Sequence, residues 1–91
     1  MNVIKLKDAV SAARAFFQAV YAEEKLLNVL LEEVKVSDDE RFWLVTFGFS
    51  LANELPPLGA SMGRMPPRHY KVVRVDGVTG EVKAMVLRES E

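Results

Sequence analysis

The sequence predicts an α+β fold, an N-terminal helix packed on one face of a four-stranded antiparallel sheet, and three observations predict it. Apolar residues at three- and four-residue spacing run from Leu6 to Leu27, and no second segment repeats that period. Two pairs of β-rich runs follow, each closed by a short polar turn, so each reads as a hairpin. Between the hairpins, Ala52 to Arg68 forms a long Pro-rich loop that holds all four prolines of the chain, and no strand can run through it.

The helix comes first. Leu6, Ala9, Val10, Ala13, Phe16, Phe17, Val20, Tyr21 and Leu27 share one face. Ala9, Ala12, Ala13 and Ala15 favour the helix intrinsically, Asp8 suits the positive end of its dipole, and neither Gly nor Pro interrupts it.

In the first hairpin, Leu30 to Val36 leads into the turn formers Ser37-Asp38-Asp39-Glu40, and Arg41 to Leu51 returns. Period two puts Trp43, Val45, Phe47, Phe49 and Leu51 on one face, the core face, and Phe42, Leu44, Thr46, Gly48 and Ser50 on the other. Phe42 and Leu44 are more apolar than a solvated sheet surface requires.

In the closing hairpin, Asp76 caps the turn amides through its carboxylate and Gly80 supplies a positive φ. Strict alternation sets Tyr70, Val72, Arg74 and Asp76 against Lys71, Val73 and Val75, and Val82, Ala84 and Val86 against Lys83, Met85 and Leu87. Both faces of the hairpin therefore carry apolar residues. A single helix covers only one side, which makes Phe42, Leu44, Met85 and Leu87 the candidate dimer face and a homodimer the expected assembly.

Ninety-one residues, 49% hydrophobic and 27% charged, make one globular domain spanning 1–91. A net charge of −1 provides no field to attract nucleic acid or an anionic membrane, so neither is an expected partner. No apolar run is long enough to span a bilayer, and the N-terminus carries no apolar leader, so the expected location is cytoplasmic. Without cysteine there is no disulfide, no thiolate nucleophile and no thiolate metal ligand. No metal site and no cofactor are expected.

Few residues suggest chemistry. His69 is the only histidine, and although Ser50 or Ser61 could join it and Asp76 in a triad, a surface histidine at a strand start is the favoured reading. Glu23-Glu24, Glu32-Glu33 and Asp38-Asp39-Glu40 read as solvated or turn carboxylates, with Glu32-Glu33 available for cross-strand pairing. Arg64, Arg68, His69, Lys71 and Arg74 concentrate positive charge around Tyr70 without any RNA-binding signature. The Pro-rich loop is more suggestive. Its Leu55, Leu58, Met62, Arg64 and Met65 combine adaptable apolar side chains with a cation, a composition suited to partner binding.

Trp43-Leu44-Val45 and the run from Tyr70 through Val75-Asp76-Gly77-Val78-Thr79-Gly80-Glu81-Val82 resemble PepSY-type domains. In those domains an alanine-rich helix precedes a Trp-x-Val strand and an Asp-x-x-Thr-Gly-Glu-Val hairpin closes the chain. The layout is also similar to small immunity-type proteins of bacterial toxin systems. It shares a helix wrapped by a sheet with the cystatin-like architecture, without the Gln-x-Val-x-Gly loop. The PepSY resemblance implies a secreted or membrane-attached domain that inhibits or regulates a peptidase. Together these readings point to a non-catalytic protein-interaction module: an inhibitor, an immunity protein or a regulatory accessory protein. A small-molecule or peptide-binding domain with a pocket between helix and sheet near His69, Tyr70 and Arg74 is the first alternative. A structural homo-oligomer subunit is the second.

Overall fold

The computed structural model describes residues 3–54 and 67–87; the loop residues Leu55, Leu58, Met62, Arg64 and Met65 lie outside them. The elements run α1 (Leu6–Val20), β1 (Leu26–Val36), β2 (Phe42–Leu51), a single 3-10 turn (Ala52–Glu54), β3 (His69–Asp76) and β4 (Val82–Leu87). The strands lie in the order β1-β2-β3-β4, every neighbouring pair antiparallel. The α+β fold with one helix on a four-stranded sheet is the one the sequence predicts.

The core follows from the two periodicities. Ala9, Ala13 and Phe17, four residues apart on α1, meet Val45, Phe47 and Phe49 of β2 and Val73 and Val75 of β3, all of them 2% exposed or less. The alanines keep the helix backbone close to the sheet, and Phe17 fills the space one turn further on. Its ring centroid lies 5.0 Å from that of Phe47, 5.3 Å from Phe49 and 4.9 Å from Tyr21, within the range of favourable aromatic pairs.

The helix ends earlier than its apolar pattern. It stops at Val20, and Leu27 belongs to β1. Glu23 and Glu24 oppose the negative end of the helix dipole, and no basic residue occupies the last turn to offset them. Leu26 and Leu27 instead pair with Leu51 and Ser50, which lengthens β1 beyond its expected start at Leu30.

Bulges break the strict alternation in both edge strands. In β1, Asn28 with φ +52° and Val29 together oppose the single residue Phe49, and Glu32 is a second extra residue. Leu26, Val29 and Val34 consequently all pack on the core despite their uneven spacing. In β4, Lys83 is extra between Val82, opposite Val75, and Ala84, opposite Arg74. That bulge brings Val82 and Met85 onto the core side together, where alternation would separate them.

One consequence corrects the candidate dimer face. Met85 lies opposite the buried Val73 and Leu87 opposite Lys71, on the helix side, whereas Phe42 lies opposite Asp76 and Leu44 opposite Arg74, on the far side. The four residues do not share a surface.

The closing turn has the chemistry expected of it. Asp76 Oδ1 accepts hydrogen bonds from the N–H groups of Val78 (2.8 Å) and Thr79 (2.9 Å), and Gly80 takes φ +79°. The N-terminal segment joins this end of the molecule: Ile4 N–H donates to Gly77 O (2.8 Å) and Gly77 N–H donates to Arg41 O (2.9 Å). No helix among the described residues is long and apolar enough to cross a membrane.

Candidate functional site: the sheet face opposite the helix

Cross-strand register lays out the far face row by row. Phe42 and Asp76 lie nearest the β1–β2 turn, followed by Lys35, Leu44, Arg74 and Ala84, then Glu33, Thr46, Val72 and Val86, then Leu30, Gly48 and Tyr70, and finally Leu27 and Ser50. Phe42, Leu44, Val72, Ala84 and Val86 form a connected apolar strip, half-buried except for Val86, which is 54% exposed. No described helix or strand packs over it.

At the turn end, the Arg74 guanidinium lies 4.7 Å from the centroid of the Phe42 ring and that of Arg41 lies 6.0 Å from it, so the ring is flanked by cations. An open basin of about 440 Å³ runs beside it, lined by Lys35, Val36, Ser37, Asp38, Asp39, Phe42, Leu44 and Arg74. Its wall is held by turn chemistry. Ser37 Oγ donates to Asp39 Oδ1 (2.6 Å), Arg41 N–H donates to the same oxygen (3.1 Å), and Phe42 N–H donates to Ser37 Oγ (3.1 Å). The Ser37 hydroxyl and then the Arg41 amide hold the Asp39 carboxyl below its ordinary range.

At the other end, small residues lower the floor of the face. Thr46, Gly48 and Ser50 are all buried although they point away from α1. Over Gly48 runs an ion pair, Arg68 Nη2 to Glu32 Oε2 at 3.0 Å, while Arg68 Nη1 donates to the bulged Asn28 O at 2.7 Å. Glu32 thus pairs with Arg68, which precedes β3, and not across neighbouring strands as expected. Ser50 Oγ has no hydrogen-bond partner among the described residues.

The three residues of the alternative pocket do not converge. His69 lies opposite Phe49 on the helix side, its ring 5.7 Å from the Phe49 ring and its Nε2 2.5 Å from Glu54 Oε1. Tyr70, opposite Gly48, and Arg74, opposite Leu44, occupy the far side. A hollow of about 360 Å³ does lie between α1 and the sheet, but Arg14, Phe17, Gln18, Tyr21, Ala22, Glu24, Leu26 and Val29 line it. Burial, and then the Glu24 charge, push the Tyr21 hydroxyl pKa up there. Ser50, His69 and Asp76 likewise do not form a triad: Ser50 faces away from His69, and Asp76 lies at the opposite end of β3, about 23 Å along the strand. Among the described residues no cluster of His, Asp or Glu is arranged to hold a metal ion.

Sequence reasoning reached Phe42 and Leu44 through their excess hydrophobicity. It missed the grouping with Val72, Ala84 and Val86, because the Lys83 bulge that assigns Ala84 and Val86 to this side has no sequence signal. Comparison of the chain with protein-family models, with curated proteins and with solved structures finds no match.

Proposed function

We propose that the chain is a non-catalytic protein-interaction module that engages its partner through the sheet face opposite α1. The observation that carries this reading is the connected strip of Phe42, Leu44, Val72, Ala84 and Val86, which no described element covers. Lys35 borders the strip and Arg74 stands within it, between Leu44 and Ala84, and neither has a carboxylate within ion-pair distance among the described residues. Apolar side chains grouped around an arginine, with a lysine at the edge, match the composition of protein interfaces, where arginine is enriched. The PepSY-like layout adds an inhibitory or regulatory role and a peptidase as the class of partner, and the immunity-like layout a toxin. Leu55, Leu58, Met62, Arg64 and Met65 of the Pro-rich loop would add adaptable apolar side chains and a cation to the same interaction.

The test is affinity capture from the native organism, followed by titration of the identified recombinant partner against the wild type, Leu44→Glu and the helix-surface control Gln18→Glu. The reading expects Leu44→Glu to weaken binding by at least about 100-fold while the control binds as the wild type does. Equal affinity for all three overturns it.

A further inference from the structure

We infer that the open face also takes a second copy of this chain, packed face to face about a two-fold axis that crosses the strands between the Leu44 and Thr46 rows. This rests on the reading of that face as an interaction surface and names one occupant for it.

The charge pattern along β1 is the argument. On the open face Lys35 lies opposite Leu44 and Glu33 opposite Thr46, so two opposite charges stand one row apart. Both side chains are exposed, and neither belongs to an ion pair among the described residues. A two-fold axis between those rows lays each strand antiparallel on its own copy. Lys35 then falls over the second copy's Glu33 and Glu33 over its Lys35, two reciprocal pairs from one symmetry operation. Leu44 meets Thr46, and Phe42 comes over the Arg68–Glu32 ion pair that crosses Gly48, an aromatic ring against a guanidinium. Sheets packed face to face lie about 10 Å apart, a gap that Lys and Glu side chains span from the two sides.

The alternative in-plane axis, along the strands, fails on the same criterion. It would lay β1 over β4 and superpose the turn carrying Asp38 and Asp39 on the turn carrying Asp76, like charge on like. A net charge of −1 leaves little repulsion between whole copies. Four strands about 4.8 Å apart and six to eight residues of about 3.3 Å give a footprint of roughly 400 Å² per copy. Two such footprints, roughly 800 Å² in all, lie below the roughly 1,200–2,000 Å² of stable interfaces, so the dimer is a weak, reversible one.

Sedimentation equilibrium of the whole chain from about 1 to about 300 µM at low salt tests this. The wild type should pass from its monomer mass of 10.2 kDa to twice that mass. Glu33→Lys alone and Lys35→Glu alone should each weaken the dimer about tenfold or more, since each sets like charges face to face. The double variant Glu33→Lys/Lys35→Glu should recover the wild-type constant, and an equimolar mixture of the two single variants should form a heterodimer. Circular dichroism melts establish that every variant is folded.

A wild type that stays monomeric throughout assigns the face to the chain's own Pro-rich loop or to a different protein, and overturns the inference. A double variant no tighter than the singles overturns it as well. If the chain is monomeric yet Leu44→Glu still loses the captured partner, this inference falls and the interaction reading stands. If it dimerises as described while a captured partner binds Leu44→Glu undiminished, the interaction reading falls for that partner alone.

Discussion

Arg68 reaches across Gly48, its guanidinium occupying the space where a side chain on that strand residue would stand. A Cβ built on Gly48 would lie 2.9 Å from Arg68 Nη2 and 2.9 Å from Glu32 Cγ. The glycine thus makes room for the ion pair between the β1 bulge and the residue preceding β3. Gly48→Ala gains strand propensity but displaces both partners, and the two effects are of similar size. Its cost in the wild type should be about 1 kcal/mol or less. The informative measurement is the cycle with Arg68→Ala and Glu32→Ala together, in which Gly48→Ala should become neutral or stabilising in urea melts. An equal cost in both backgrounds would mean that the ion pair does not set the residue at 48.

Phe17 carries the contact between helix and sheet. It is 1% exposed and touches Phe47, Phe49 and Tyr21, so Phe17→Ala opens a cavity that three aromatic rings cannot close. The expected loss is about 3–5 kcal/mol, a large share of the 5–15 kcal/mol available to a domain. Val86→Ala, at a site 54% exposed, should shift stability by no more than about 0.5 kcal/mol. Comparable urea midpoints for the two variants would contradict the assignment of the core.

The contrast between these residues shows which parts of the fold were legible. Phe17 could be read because it lies in register with Ala9 and Ala13 at helical spacing, and Phe47 and Phe49 because β2 is regular and central. Met85 could not. Its side of the sheet depends on whether Lys83 is paired or bulged, and both arrangements satisfy the same residues locally. Asn28 is a partial exception, since asparagine tolerates the left-handed region and so permits a bulge, but nothing in the sequence requires one there. In the candidate site, Leu44 and Phe42 announced themselves by hydrophobicity. Arg68 and Glu32 are 36 residues apart in sequence and meet only through the β2–β3 pairing.

Glu40 sits in the first turn with φ +60°, a conformation that costs a residue with a Cβ about 1 kcal/mol relative to glycine. Its backbone N–H donates to Ser37 O at 2.8 Å, a bond that glycine retains. Glu40→Gly should therefore stabilise the protein by about 0.5 kcal/mol or less, because the freer unfolded chain offsets much of the conformational gain. Thermal and urea melts read the change. A loss of stability would indicate that the Glu40 side chain contributes more than its backbone strain costs.

Asp76 links the closing turn to pH. Hydrogen bonds from the Thr79 and then the Val78 N–H groups favour the carboxylate and lower its pKa below the ordinary value. Because the folded pKa is the lower one, the unfolded chain binds the proton more readily. The stabilisation is then fully present above the unfolded pKa of about 3.9 and is lost as pH falls through the folded value. Asn at this position keeps an oxygen acceptor for the two amides but has no charge to lose. Asp76→Asn should melt below the wild type at neutral pH, and the gap should narrow steadily below about pH 4. Asp39 contributes an acid limb of the same sign, through the Ser37 hydroxyl and the Arg41 amide, so Asp76→Asn alone should flatten the wild-type profile only in part. Melting curves collected between about pH 2 and pH 7 decide the matter, and a gap that stays constant across that range would show that the turn carboxylate titrates alike in the folded and unfolded chains.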